Sequence, residues 1–127
     1  MEASLLVAAG GAFGSVARYW ASVLVVWLLG GESFPWATLA INVLGSFVIG
    51  VLAGVTGPEG RLAGDATTRL LLMVGLCGGF TTFSSFSLQT LVLLRSGEMV
   101  SALLNIAASV LLCLLATAAG LALATKA

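Results

Sequence analysis

Charge is what this sequence has least of. Lys, Arg, Asp and Glu together make up 8% of its 127 residues, and five of each sign cancel to a net charge of zero. Ordinary soluble domains carry about 25% charged residues, so this chain lacks the means to cover a water-facing surface. With no net positive charge there is no electrostatic footprint for nucleic acid. There is no histidine and no carboxylate cluster, which leaves zinc and di-iron sites almost without ligands. The two cysteines, Cys77 and Cys113, both fall in apolar runs. They read as buried small side chains, not as a disulfide framework or a metal pair. No Asp, Glu or His lies in the middle of a hydrophobic run. That removes the titratable group on which proton-coupled transporters depend. No phosphate-binding loop is present for ATP hydrolysis, and no catalytic group stands out, so an enzyme is not expected.

What is present is apolar length. The chain is 60% hydrophobic, with a mean hydropathy of +1.17. A spanning helix needs roughly 20 mostly apolar residues, and four segments qualify: about 5–29, 36–56, 67–95 and 98–125. The N-terminal run has no basic leader and extends well past a signal-peptide core, so it reads as a retained transmembrane helix. Gly30–Gly31 stops the first span, Pro35 precedes the second and Gly57–Pro58 follows it, the usual helix punctuation. We therefore expect one all-α integral membrane domain over residues 1–127. The acidic residues Glu2, Glu32, Glu59, Asp65 and Glu98 sit near span ends. So do Arg61, Arg69, Arg95 and Lys126, which leaves Arg18 as the one charge well inside a span. Arg61, Arg69 and Lys126 fall on one side and Arg95 on the other. That bias is small for the positive-inside rule and permits insertion in both orientations.

Small residues recur four apart: Gly10 and Gly14, Gly50 and Gly54, Gly75 and Gly79, then Ala116, Gly120 and Ala124. In lipid this spacing lets helix backbones approach closely, within a subunit or between subunits. Four short helices leave little room for a wide pathway in one subunit, so an oligomer is expected.

The spans also hold neutral polar groups. Asn42 lies in the second. In the fourth, Asn105, Ser109, Cys113 and Thr117 follow one another at four-residue steps, on one helical face. Unpaired polar groups in hydrocarbon cost several kcal/mol each, so these face a wet path or bond between helices. The third span contains GLCGGFTTFSSFS, residues 75–87, with five hydroxyls and three phenylalanines but no charge. The pair Gly78–Gly79 predicts a helix break there. Carbonyls freed at such a break can coordinate a cation such as sodium. Phe80, Phe83 and Phe86 recur every third residue. Such a stripe serves packing, or it presents the positive ring edges of aromatic side chains to an anion. Arg18 adds attraction for an anion near one mouth.

The stretches GGFTTFSSFS (78–87), NVLGSFVIG (42–50) and GGAFGSVARY (10–19) resemble the fluoride channel (Fluc) family of small bacterial membrane proteins. The resemblance covers essentially the whole chain. It implies an antiparallel, dual-topology homodimer in the inner membrane, with two pathways that passively export cytoplasmic fluoride and so reduce its toxicity. Phe83 and Phe86 match the pore phenylalanines, Asn42 the pore asparagine, and Ser109 the polar track, with the Thr82 and Ser84 hydroxyls beside them. Arg18 matches a vestibule arginine. Gly78 and Thr81 match positions whose backbone carbonyls bind a structural sodium at the dimer centre. Phe80 departs from the family pattern, where an aliphatic residue is expected, and Asn105 and Cys113 depart from it along the track. The runner-up, a small four-helix multidrug transporter, needs a membrane-embedded carboxylate, and none is present. A non-transporting packing subunit would explain the glycines but not the hydroxyl-lined third span.

Overall fold

The computed structural model describes residues 1–30 and 33–126, the last without its side chain. Gly31, Glu32 and the charged group of Lys126, invoked above as a helix stop and in the loop charges, lie outside the described residues. Five helical stretches make up the fold among the described residues. They are α1 (Glu2–Leu29), α2 (Trp36–Thr56), α3 (66–80), α4 (Phe83–Arg95) and α5 (Met99–Lys126). α3 and α4 lie in a single membrane-length segment, Ala66–Arg95, so among the described residues four segments are long and apolar enough to cross a bilayer.

Two glycine seams set the packing. α1 lies along α3, and α2 along α5. A Cβ on Gly10 would collide with the Leu71 carbonyl, and one on Gly14 with that of Leu76. From the other side, a Cβ on Gly75 would lie 3.0 Å from the Gly10 Cα, and one on Gly79 2.5 Å from the Gly11 oxygen. The second seam repeats the device. Gly50 abuts the Thr117 carbonyl, and Gly120 abuts that of Phe47. These contacts are backbone on backbone, the close approach that drives helix association where hydrophobicity cannot. Both seams lie within one subunit.

The interior mixes apolar side chains such as Ile41 and Phe86 with several polar ones. Asn105 and Thr56 are the largest fully enclosed side chains, while Trp20, Trp27, Leu114 and Leu115 face outward. Outward apolar side chains meet lipid in a membrane-spanning chain, and enclosed polar ones must find partners. Thr56 does so by donating to the Leu52 carbonyl at 2.8 Å.

The ends of the third segment are well signalled. Asp65 caps it by accepting from the Thr67 and Thr68 amides at 3.0 and 3.3 Å. The Thr68 side chain, then its backbone, holds the Asp65 carboxyl below the usual carboxylate range. Slight desolvation opposes this and the Thr67 amide assists. At the far end Gly97 takes φ 84°, and the Gly97 and Glu98 amides donate to Leu94 and Leu93, the paired bonds of a Schellman stop. Within α3, Arg69–Cys77 winds as a π-helix, which nothing in the sequence signals.

The glycine pair is not where helicity lapses. Gly78–Phe80 is α-helical, with Gly78 at φ −62°, ψ −38°. Thr81 and Thr82 are extended instead, at φ −82°, ψ 158° and φ −150°, ψ 103°. The expectation placed the lapse three residues too early. Glycine's entropic cost in a helix is only about 1 kcal/mol, and the α1 seam offsets it.

Candidate functional site

The two extended threonines organise the middle of the molecule. Asn42, on α2, holds Thr82 by both backbone groups. Its Nδ2 donates to the Thr82 carbonyl at 3.0 Å, and its Oδ1 accepts from the Thr82 amide at 2.7 Å. A side-chain amide here substitutes for a neighbouring β-strand. The Thr82 hydroxyl then caps α4 by accepting from the Ser85 amide at 3.2 Å, and it donates to the Ser85 hydroxyl at 2.9 Å.

These bonds redirect two carbonyls. In an unbroken helix the Thr82 amide would serve the Gly78 carbonyl and the Ser85 amide that of Thr81. Here the first goes to Asn42 and the second to the Thr82 side chain. The Thr81 amide, the next candidate donor to Gly78, goes to the Cys77 carbonyl at 2.9 Å. Gly78 and Thr81 thus present carbonyls whose helical donors are engaged elsewhere. Gly78 is exposed, and a Cβ added to it would meet nothing within 4 Å. Neutral backbone oxygens of this kind fit a hard monovalent cation.

Two cavities flank the lapse. The first, about 500 Å³, is lined by Asn42, Gly78, Thr81, Phe83, Phe86 and Ser109, with Ser46, Cys77 and Cys113 also facing it. The second, about 460 Å³, is lined by Arg18, Thr38, Thr82, Ser85 and Gln89 among others. Neighbouring threonines therefore face different cavities. No carboxylate lines either one among the described residues. Arg18 is half-buried and supplies the charge of the second.

The phenylalanines divide. Phe83 and Phe86 pack at 5.2 Å between ring centroids, tilted by 47°. Phe86 is buried, whereas Phe83 is 77% exposed beside the first cavity. Phe80 belongs to α3, before the lapse, and turns toward Gly45. It does not line the first cavity with the other two. The lapse resets the helical phase between them, so three-residue spacing did not carry one face through.

The polar face of α5 divides as well. Ser109 and Cys113 reach the first cavity. Asn105 is enclosed, donating to the Thr90 hydroxyl at 2.9 Å, and the Thr117 hydroxyl bonds back to Cys113 at 2.9 Å. For Asn105, the reading as a bond between helices describes what the structure contains. Ser84 lines neither cavity and lies 3.3 Å from the Thr82 hydroxyl. Residues not singled out from sequence are Ser85, Thr38, Gln89 and Thr90. Ser85 has a legible signal, since it stands three residues after an N-cap threonine. Gln89 Oε1 is buried without a hydrogen-bond partner.

Four membrane-length segments among the described residues, with neutral donors gathered at an irregular stretch of backbone in mid-bundle, define a small multi-pass membrane protein with two largely apolar cavities that a few polar groups line. The family model described as CrcB-like protein, Camphor Resistance (CrcB), matches residues 5–121. A "Fluoride-specific ion channel FluC" of Rhodospirillum rubrum is 54% identical over 87% of this chain and 85% of its own length. The protein of that name in Methylocella silvestris is 55% identical over 88% and 85%, and that of Opitutus terrae is 54% identical over 91% and 87%. The chain belongs to the CrcB-like family, whose members at this level of identity are named fluoride-specific ion channels.

Proposed function

We propose that this chain is a fluoride-selective channel that lets cytoplasmic fluoride leave the cell passively, and that it has no enzymatic activity. The observation that carries the reading is the first cavity. It gathers the Asn42 amide, the Ser109 hydroxyl and the Phe83 and Phe86 rings, with no carboxylate among the described residues. Fluoride is small and tightly hydrated, so a path that admits it must replace its water with close donors. Hydroxyls and ring edges do this without repelling an anion. The second cavity, with Arg18, collects anions from water. Hydrogen fluoride enters cells neutral and ionises inside, and a passive path then relieves the accumulated anion.

The working unit is an antiparallel homodimer in the bacterial inner membrane. Phe83 and Gly78 are exposed beside the first cavity, where the Gly78 and Thr81 carbonyls lack helical donors; lipid cannot serve such groups, and a second copy would cover them. Each copy brings one pathway, so the dimer has two. A structural sodium at the dimer centre, held by the Gly78 and Thr81 carbonyls of both copies, would supply positive charge where helix ends crowd. This chain's own part is to hold those carbonyls out of helical bonding, through Asn42 and the Thr82 hydroxyl. Efflux from liposomes containing only this protein, read with a fluoride electrode, tests the reading. Fluoride release without chloride release is expected. Retention of fluoride, or equal release of both, would sink it.

A further inference from the structure

We infer that Asn105, held by Thr90, is a positioning residue that sets which way the Ser109 hydroxyl points in the first cavity. The inference rests on the proposed fluoride pathway, because it concerns how that pathway grips the ion. Thr90 lies one turn after Phe86 on α4, and its hydroxyl donates to the Phe86 carbonyl at 2.7 Å. A hydroxyl has a single hydrogen. Thr90 can therefore meet Asn105, at 2.9 Å, only as an acceptor. Asn105 must present its Nδ2 to Thr90, which turns its Oδ1 to Ser109. The Ser109 hydroxyl donates to that oxygen at 3.5 Å. The hydrogens of the whole chain thus run one way, from Ser109 through Asn105 and Thr90 to the backbone beneath Phe86.

The direction matters to an anion. Ser109 lines the cavity with Phe83 and Phe86, whereas Asn105 does not. In the resting arrangement the Ser109 hydrogen points to Asn105. At 3.5 Å that bond is at the weak limit of hydrogen bonding, so an ion can take the hydrogen at small cost and return it on leaving. A reversed Asn105 amide would give the other behaviour. Its Nδ2 would occupy the Ser109 oxygen, and the Ser109 hydrogen would face the cavity permanently. The ion would then be held more firmly and released more slowly. Conduction needs binding weak enough for departure, and Thr90 enforces the weaker setting. Asn42 and Ser46 of α2, Cys77 of α3, Thr81, Cys113 of α5 and the rings of α4 also face this space, and none of its described lining residues carries charge.

Thr90→Val removes the acceptor, and an Asn105 amide left without one gains by reversing toward Ser109. In liposome flux measured against fluoride concentration, Thr90→Val is expected to lower the half-saturating fluoride about two- to tenfold, the worth of one neutral hydrogen bond. It should also lower the maximal rate. Thr90→Ser should behave as wild type. Ser109→Ala should raise the half-saturating concentration, and adding Thr90→Val to it should change nothing further. A merely structural role would cut the maximal rate alone. A Thr90→Val half-saturation that is unchanged or raised, or additive effects with Ser109→Ala, would overturn the inference. The wild-type protein offers a second readout that needs no variant. Nuclear Overhauser contacts from the Asn105 side-chain NH₂ are expected to the Thr90 methyl, and contacts to the Ser109 side chain instead would also overturn it. If wild type carries no fluoride, the pathway reading fails, while the amide orientation is still decided by those contacts.

Discussion

Two adjacent pairs of residues, Gly78–Gly79 and Thr81–Thr82, reverse their textual roles. The glycines are the nominal helix breakers, yet they are helical. The threonines, β-branched but tolerated in helices, are extended. The difference lies in what each pair meets. Gly79 lies against the Gly11 backbone, so its missing Cβ is used in packing and the helix persists. Thr82 meets Asn42, which serves both its amide and its carbonyl, so its own backbone groups stay paired outside the helix. Irregular backbone at bilayer depth exists where protein satisfies it, and here the satisfying group comes from another helix.

The sharpest way to break this contrast is Asn42→Leu, which keeps bulk and removes the clasp. The Thr82 amide then returns to the Gly78 carbonyl or stays unpaired, at about 1–3 kcal/mol for each group. Fluoride flux is expected to fall to background in the liposome assay. Asn42→Asp should fail too, since its second oxygen would face the Thr82 carbonyl where an N–H now points.

The glycine pair supplies the next test. Gly79→Ala forces a Cβ onto the Gly11 carbonyl, an overpacking worth about 1–3 kcal/mol, and should lower the thermal midpoint in detergent. Gly78→Ala meets open space within its own subunit and should leave the subunit's stability unchanged. If the proposed dimer and sodium site hold, loss of dimer mass or of sodium in Gly78→Ala would report on the partner's surface. A glycine pair that merely loosens the backbone would show equal effects at both positions.

The phenylalanines refine the comparison. Isoleucine retains apolar bulk and lacks the positive ring edge. Phe83→Ile, at an exposed position, should cut flux severely without altering the thermal midpoint. Phe86→Ile, at a buried one, should cut flux and lower the midpoint as well. Unchanged flux in both variants would make the rings packing only.

Much of this was legible in the sequence, for physical reasons. Apolar runs of membrane length need no tertiary context, and neither does GxxxG spacing, which the seams at Gly10, Gly14, Gly75 and Gly79 use directly. The position of the lapse was not legible, because it depends on Asn42, forty residues from Thr82. Propensity pointed at glycine, and the tertiary partner decided for threonine. The split of Asn105 from Ser109 was hidden likewise. Four-residue spacing places both on one face, but only the position of Thr90 shows that one is enclosed. The separation of Phe80 from Phe83 followed from the lapse itself.

Smaller effects are expected away from the clasp. Thr81→Ala loses a hydroxyl bonded to the Cys77 carbonyl and a methyl beside Gly45, and it should retain most flux and, in the proposed sodium site with backbone ligands, the ion as well. Thr82→Val removes the α4 cap, a change of about 0.5–2 kcal/mol, and should affect both. The smallest effect belongs to Asp65. Its folded carboxyl titrates below the unfolded value, so its contribution is present above the unfolded value and fades as pH falls through the folded one. Asp65→Ala should remove that acid-side slope from the unfolding profile and leave flux at neutral pH unchanged.

Backbone ¹³C chemical shifts of Thr81 and Thr82 in lipid bilayers, in wild type and in Asn42→Ala, test the central claim most directly. Extended shifts in wild type that turn helical in the variant are predicted. Extended shifts in both would contradict the account, for the lapse would then stand without the asparagine that is argued to hold it.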